Sequence, residues 1–505
     1  MSNTVSVKNN ERIPFSSIPE QDYRGFFSDN SLLLYLPHNH CVNYYGIQYR
    51  DDIKLIMCIA DDKEHIINIS SCWVNNKDEY ISFTRIYPAM EKFEREIHEN
   101  FGIKYIDHPC LKSVRYPEAR YNKSSVIENY PFYTIDNPEL HQVGVGPVHA
   151  GIIEPGHFRF ICDGEQVLNL EIQLGYQHRG IEPLFLSKKK TLEKVILAES
   201  IAGDSVTAHT TAFSNLWEKL CGMEPSNSMQ FSRTLAQETE RMAMHIADLS
   251  AMCADVAYQL GSSVFGRLRT PIVNFFQEWC GNRLAKGLIR PGRINFPFTD
   301  NLKCRLLEVL NTIEPDFEEV GELLFHLPSA LSRFEKTGLL PNDMAVKSGI
   351  VGVSARMSGL ERDIRKSHPY GLYKNMLHEP VIKSHGDVYS RTKIRIQEVN
   401  QSMEYIRKWL ESVPQPENTY GGSPLVAYPQ NAEPGSFAIS LVEGWRGEIC
   451  HCAVTGADGD LLHYKIKDPS FHNWTALSIA VKDNEISDFP VCNKSFNLSY
   501  CGHDL

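Results

Sequence analysis

The chain has 505 residues, too many for one compact core, so two or more domains are expected. Lysine and arginine number 51 against 62 aspartates and glutamates, and the net charge of −11 gives no support to a nucleic-acid-binding face. The 13 cysteines are odd in number and none form C-x-x-C, which argues against a disulfide framework and against a self-contained zinc or iron–sulfur site.

No run approaches the ~18 consecutive apolar residues of a membrane span. Residues 1–14 lack the apolar core of a signal peptide, so a soluble, cytoplasmic chain able to dock on a membrane partner is expected. Residues 1–117 read as a small α+β domain, with apolar runs at 53–59, 65–69 and 80–87 before the charged segment 91–100. His38, His40 and Cys41 form one tight grouping and Cys450 with Cys452 another. Both lack the further ligands that a closed metal site needs. Residues 118–145 are polar and turn-rich, a linker.

Residues 146–505 form the second domain. Phe158, Phe160 and Cys162 alternate before Asp163-Gly164, and Leu168, Leu170, Ile172 and Leu174 after it, which predicts a hairpin. Met242, Ile246, Leu249, Cys253, Val256 and Leu260 recur at helical spacing, as in a bundle helix. Glu238, Arg241, His245 and Asp248 make a second stripe, either a solvated face or a buried polar seam. Residues 413–437, rich in proline and glycine, read as a loop. A second hairpin follows, with Cys450, Cys452 and Val454 before Asp458-Gly459 and Leu462, Tyr464 and Ile466 beyond. The cysteines' alternation with valine is that of a buried strand face. The fold class expected is α+β: a small α+β domain, then a helix bundle flanked by β-hairpins. There is no H-E-x-x-H, G-x-S-x-G, Walker loop or G-x-G-x-x-G, which removes the common hydrolase, NTPase and dinucleotide-binding signatures.

The segment from Glu94 to Ile103, read as Glu-Arg-Glu-Ile-His-Glu-Asn-Phe-Gly-Ile, followed by Asp107-His108-Pro109, resembles the signature of the C subunit of complex I, the NADH-quinone oxidoreductase. Physically it reads as a charged helix capped by Gly102. From Gly146 onward the chain is similar to the D subunit and to the large subunits of nickel–iron hydrogenases. The likeness rests on Gly146-Pro147-Val148-His149, Glu154-Pro155-Gly156-His157-Phe158-Arg159 and Gly175-Tyr176-Gln177-His178-Arg179-Gly180, and on Arg290-Pro291-Gly292, Asp363-Ile364-Arg365-Lys366 and Gly386-Asp387-Val388-Tyr389 further on. One polypeptide carrying both parts most resembles the formate hydrogenlyase type of membrane-bound (group 4) hydrogenase.

The resemblance implies a pocket where two cysteine pairs hold nickel and iron. Here those positions carry Ala202, Ser205, Ser499 and Gly502, so no metal ligand set remains and no bound nickel–iron is expected. A replacement site from Asp204, Cys501, His503 and Asp504 is an open alternative. The relatives' quinone-binding histidine and tyrosine fall on Pro155 and Gly203, which cannot donate, leaving Tyr176, His149 and His209 as other donors. The resemblance makes Glu154, Arg446 and His209 the catalytic candidates, Glu154 as a proton-transfer carboxyl or else a salt-bridge partner of Arg159. It makes His149, Tyr176 and Asp204 the cofactor-binding candidates. The two hairpins should gather Glu154, residues 202–205, Arg446 and residues 499–504 around one cavity.

The implied function is that of the large subunit of a membrane-associated, ion-translocating, hydrogenase-related or NADH-quinone oxidoreductase-like complex, peripheral on the cytoplasmic side of the inner membrane. Its partners would be an iron–sulfur cluster subunit, which carries the clusters, and membrane-embedded antiporter-like subunits. A non-catalytic coupling subunit, or a quinone-reducing subunit with other contacts, is the alternative.

Overall fold

A computed structural model describes residues 3–412 and 428–505. The strands that matter here are β1 (Val5–Val7), β2 (Glu11–Pro14), β3 (Asn39–Tyr49), β4 (Asp52–Asp61), β5 (Ile66–Val74), β6 (His141–Val145), β7 (His157–Asp163), β8 (Gln166–Gln173), β9 (Ser436–Gly444), β10 (Gly447–Thr455) and β11 (Leu461–Lys467). The helices are α1 (Tyr23–Tyr35), α2 (Glu91–Phe101), α3 (Val206–Leu220), α4 (Asn227–Asp255), α5 (Gln259–Cys280), α6 (Asp300–Leu324), α7 (Val388–Ser412), α8 (Ser470–Val481) and α9 (Tyr500–Asp504). The class is α+β.

The first part of the chain builds an antiparallel sheet in the order β1-β5-β4-β3, covered by α1 and α2. Helix α2 ends as the sequence predicts: Gly102 sits at φ +74°, and its N–H donates to the His98 carbonyl. The run at 80–87 is not one strand, since only Glu79–Ile81 is extended before the chain turns into a short 3₁₀ segment. His40 bonds Glu448 at 2.6 Å and faces Asp62 at 3.4 Å, tying this sheet to β10, while Cys41 is a buried thiol whose pKa burial pushes up. That histidine–cysteine grouping is structural.

The expected first hairpin is a three-stranded sheet, β8-β7-β6, because residues 141–145 at the end of the polar stretch add a strand. A bulge between Ile161 and Cys162 shifts the register so that Cys162 faces Val167. Val167, not Leu168, is therefore the buried partner there, and this corrects the alternation read from the sequence.

The second hairpin, β10-β11, lies in a four-stranded sheet ordered β11-β10-β9-β2. Strand β9 went unread because most of the segment before it is turn-forming. The predicted loop at 413–437 falls partly outside the described residues and ends where β9 begins, at Ser436. Cys450 and Cys452 lie side by side, Sγ to Sγ 3.7 Å, each accepting a hydrogen bond from Asn43. Both thiols stay protonated through burial.

Helices α4, α5, α6 and α7 form the bundle. Met242, Ile246, Leu249 and Cys253 face its core, but α4 ends at Asp255, so Val256 caps it and Leu260, 61% exposed, belongs to the next helix. The polar stripe is a buried seam. Glu238 accepts from Arg365 at 3.1 Å and from the Ser402 hydroxyl at 2.5 Å, and Tyr373 also donates to it. His245 bonds Glu398 at 2.8 Å, and Asp248 receives Arg395 at 2.8 Å. Arg356 bridges Glu398 at 2.6 Å and Glu443 at 2.8 Å, carrying the seam from α7 to β9. Burial alone would raise the Glu238 pKa, but Arg241 and Arg365 hold it at about 2. Replacing Glu238 with Gln leaves those arginines short of a counter-charge, and a loss of about 3–5 kcal/mol is expected. It is read as a lowered midpoint of thermal or chemical unfolding, and an unchanged midpoint would contradict this account of the seam.

Candidate functional site

The site forms where three segments meet: residues 200–205 before α3, the Trp445-Arg446 turn joining β9 to β10, and residues 497–504 around α9. Arg179 joins the first and third, donating to the carbonyls of Ser200, Ile201 and Cys501 at 2.5, 2.8 and 3.2 Å. The turn is pinned from below by Arg241, which donates to the Glu443 and Gly444 carbonyls at 2.9 and 3.3 Å. Trp445 Nε1 donates to the Asp204 carbonyl at 2.7 Å.

Arg446 is then fully committed. Its two terminal nitrogens grip the Asp204 carboxylate at 2.8 and 2.5 Å, and Nε donates to the Asn497 carbonyl at 2.5 Å. A two-pronged pair of this kind is among the strongest charge-assisted contacts. Asp204, taken from the sequence as a cofactor contact, is the partner of Arg446.

The four positions that the resemblance assigns to thiolates are occupied differently. Ala202 and Ser205 are buried, with Ser205 N donating to the Ala202 carbonyl at 3.1 Å. Ser499 caps α9, its hydroxyl accepting from Gly502 N at 2.9 Å. At Gly502 there is no room for a side chain, because an added Cβ would meet the Asp468 carboxyl at 2.7 Å. Gly203 is the opposite case, with nothing within 4 Å of an added Cβ.

Asp468 starts a hydrogen-bonded chain that the sequence reading did not find. His209 Nε2 donates to it at 3.0 Å, His209 Nδ1 and His451 Nε2 are bonded at 3.1 Å, and His451 Nδ1 and the Tyr464 hydroxyl at 2.7 Å. Despite burial, His209 and Arg446 hold the Asp468 pKa below the usual carboxylate range. Burial, reinforced by His209, keeps His451 neutral.

Glu154 is half-buried on the loop before β7 and lies near the Cys501 thiol, which burial and then Glu154 itself push up to about 12. The alternative pairing of Glu154 with Arg159 does not form; Arg159 lies over the Phe132 ring, 4.9 Å from its centroid. His149 donates to the Gly156 carbonyl at 2.9 Å and the Tyr176 hydroxyl to Gln173 at 2.8 Å, so both are spent within the β6–β8 sheet region. The replacement set of Asp204, Cys501, His503 and Asp504 does not converge. The His503 ring packs on Phe471 with centroids 5.6 Å apart, and the Asp504 carboxylate caps the Gly175 and Gln177 amides at 2.8 and 2.9 Å. Among the described residues no group of three or more His, Cys, Asp or Glu side chains is placed to hold a metal ion.

The chain belongs to the superfamily of complex I and group 4 membrane-bound hydrogenases, C/D-type. Residues 29–131 match the respiratory-chain NADH dehydrogenase 30 kDa subunit family and residues 255–504 the 49 kDa subunit family. The chain is similar to hydrogenase-4 component G of Escherichia coli, at 26% identity over 85% of this chain and 78% of that protein. Formate hydrogenlyase subunit 5 of the same organism matches at 26% over 85% and 79%. The fused C/D subunit of the NADH-quinone oxidoreductase of Phocaeicola vulgatus matches at 26% over 81% and 83%. No helix among the described residues is long and apolar enough to cross a membrane.

Glu240 is the ionisable group that pattern reading missed, being off both α4 stripes. It is 4% exposed, accepts from Thr207 N at 2.8 Å, and burial pushes its pKa up to about 8, with Asp204 adding to the effect. A carboxyl raised on folding stabilises fully below its ordinary pKa of 4.5 and loses that contribution as pH rises toward about 8. Glu240→Gln, neutral throughout, should therefore gain on the wild type between pH 5 and 8 by roughly a few kcal/mol, at about 1.4 kcal/mol per pH unit. Unfolding midpoints of both proteins across that range measure it, and a pH-independent difference would refute the assignment.

Proposed function

We propose that the chain is the large subunit of a membrane-associated, ion-translocating complex of the hydrogenase and NADH-quinone oxidoreductase type, in which the inherited pocket holds and passes protons instead of a nickel–iron pair. The observation that carries the reading is the Asp468 carboxyl lying where a side chain at Gly502 would have to go. Nickel and iron need soft thiolate donors, and alanine, serine and glycine at 202, 205, 499 and 502 supply none. The residues present do not fit that metal pair.

In this reading Glu154 and the protonated Cys501 thiol form the outward proton contact, while Asp204 and Arg446 fix the charge of the pocket. The Asp468–His209–His451–Tyr464 chain can carry a proton inward. Tyr176, His149 and His209 all have hydrogen-bond partners within the chain, which weighs against a quinone held by them. The electrons then belong to an iron–sulfur partner subunit and the ions to antiporter-like membrane subunits, with this chain peripheral on the cytoplasmic face. The closed Asp204–Arg446 pairing supports a second reading, a coupling subunit with no chemistry of its own.

Nickel, iron and zinc per chain in the purified complex, with hydrogen uptake and quinone reduction on the same sample, test the first claim: nickel is expected to be absent, and stoichiometric nickel overturns it. Glu154→Gln is expected to lower ion-coupled turnover about a hundredfold. Unchanged turnover would leave the coupling reading standing.

A further inference from the structure

A cavity lies at the seam between the two parts of the chain. It holds about 770 Å³ between α2, residues 109–114, strand β8 and helix α8, with His503 at one wall. That volume lies within the ~300–1,000 Å³ of small-molecule pockets.

Its charges do not balance internally. Lys92, Arg95 and Lys112 line it, against Glu91 and Glu171. Both carboxylates are already taken: Glu91 by Arg95 at 2.6 Å, Glu171 by Lys112 at 2.5 Å and by the Tyr130 hydroxyl at 3.1 Å. Lys92 has no hydrogen bond or ion pair among the described residues, although every other charged side chain in the lining does. Thr475 and Ser478 on α8 line the same cavity, half-buried, and their hydroxyls likewise have no hydrogen-bond partner among the described residues. Leu111, Leu170, Ile172 and Trp474 supply the apolar wall.

We infer that this seam cavity is a binding site for a small organic anion, a carboxylate or phosphate monoester on an aromatic or aliphatic body, with Lys92 as its counter-ion and the α8 hydroxyls as donors. An unmatched ammonium beside two already neutralised ion pairs leaves room for one negative charge. The apolar wall leaves room for the body that bears it. Burial, with Arg95 and Arg115 nearby, pushes Lys92 down to about 7 against the pull of Glu91, the penalty that a bound anion would relieve. The proposal does not depend on what occurs around Asp468: Lys92, Thr475 and Ser478 lie outside that site, and His503 at the cavity wall is the residue the two share.

Calorimetric titration of the full chain with benzoate, phenyl phosphate and benzylamine tests it. Saturable binding of the two anions and none of the amine is expected. Lys92→Gln should weaken the anions at least about tenfold and Lys92→Arg should retain them. Because a glutamine in the seam could unfold the chain, protection of Lys92 against acylation by saturating benzoate, followed by mass spectrometry, gives an independent reading on the wild type. No binding at millimolar anion, equal binding of benzylamine, unchanged affinity in Lys92→Gln, or no protection of Lys92 overturns the assignment.

Discussion

The position of the Trp445-Arg446 turn depends on buried charge. Arg241 from the bundle and Arg356 from the short helix Val353–Arg356 reach Gly444 and Glu443, and Glu238, Glu398 and Asp363 supply the compensating negative charge. An ion network this deep is not a cheap source of stability, since each charge gives up its water and is repaid only if every partner is in place. What it supplies is registry. The sheet and the bundle fit together in one way, and in that arrangement Arg446 meets Asp204.

The same logic is visible in the pocket. Asp468 lies against Gly502, Ser499 turns its hydroxyl onto its own helix, and Arg446 closes on Asp204. Asp204 with Arg446 and Asp468 with His209 are partnered within the pocket, as an interior of low dielectric requires.

Much of the architecture was legible in the sequence because periodicity survives wherever one face is buried. The Gly102 cap, the β7-β8 and β10-β11 hairpins and the α4 stripe follow from local rules. Misreadings arose where a local rule was overridden by a neighbour: the Ile161–Cys162 bulge exchanged Leu168 for Val167, and a helix end separated Leu260 from its stripe. At the site, the grouping of Asp204, Arg446 and the 499–502 segment followed from the family likeness alone, since their spacing carries no signal. The partners of those residues were not legible. Whether Arg446 bonds Asp204 or points into open space, and whether Asp468 or Glu240 matters, depends on contacts between segments hundreds of residues apart. No short pattern encodes those contacts.

Strand β2 has a further implication. Residues near the start of the chain supply the outer strand of a sheet whose other three members lie beyond residue 435. On the ribosome that sheet stays incomplete until almost the whole polypeptide has been made, with the first-made strand waiting for its neighbours. Severing the two parts of the chain would bare the backbone amides and carbonyls of β9 along Ser436–Ile439, an open template for pairing with another copy. Covalent fusion thus keeps the completing strand at high local concentration and shields an edge that would otherwise promote aggregation.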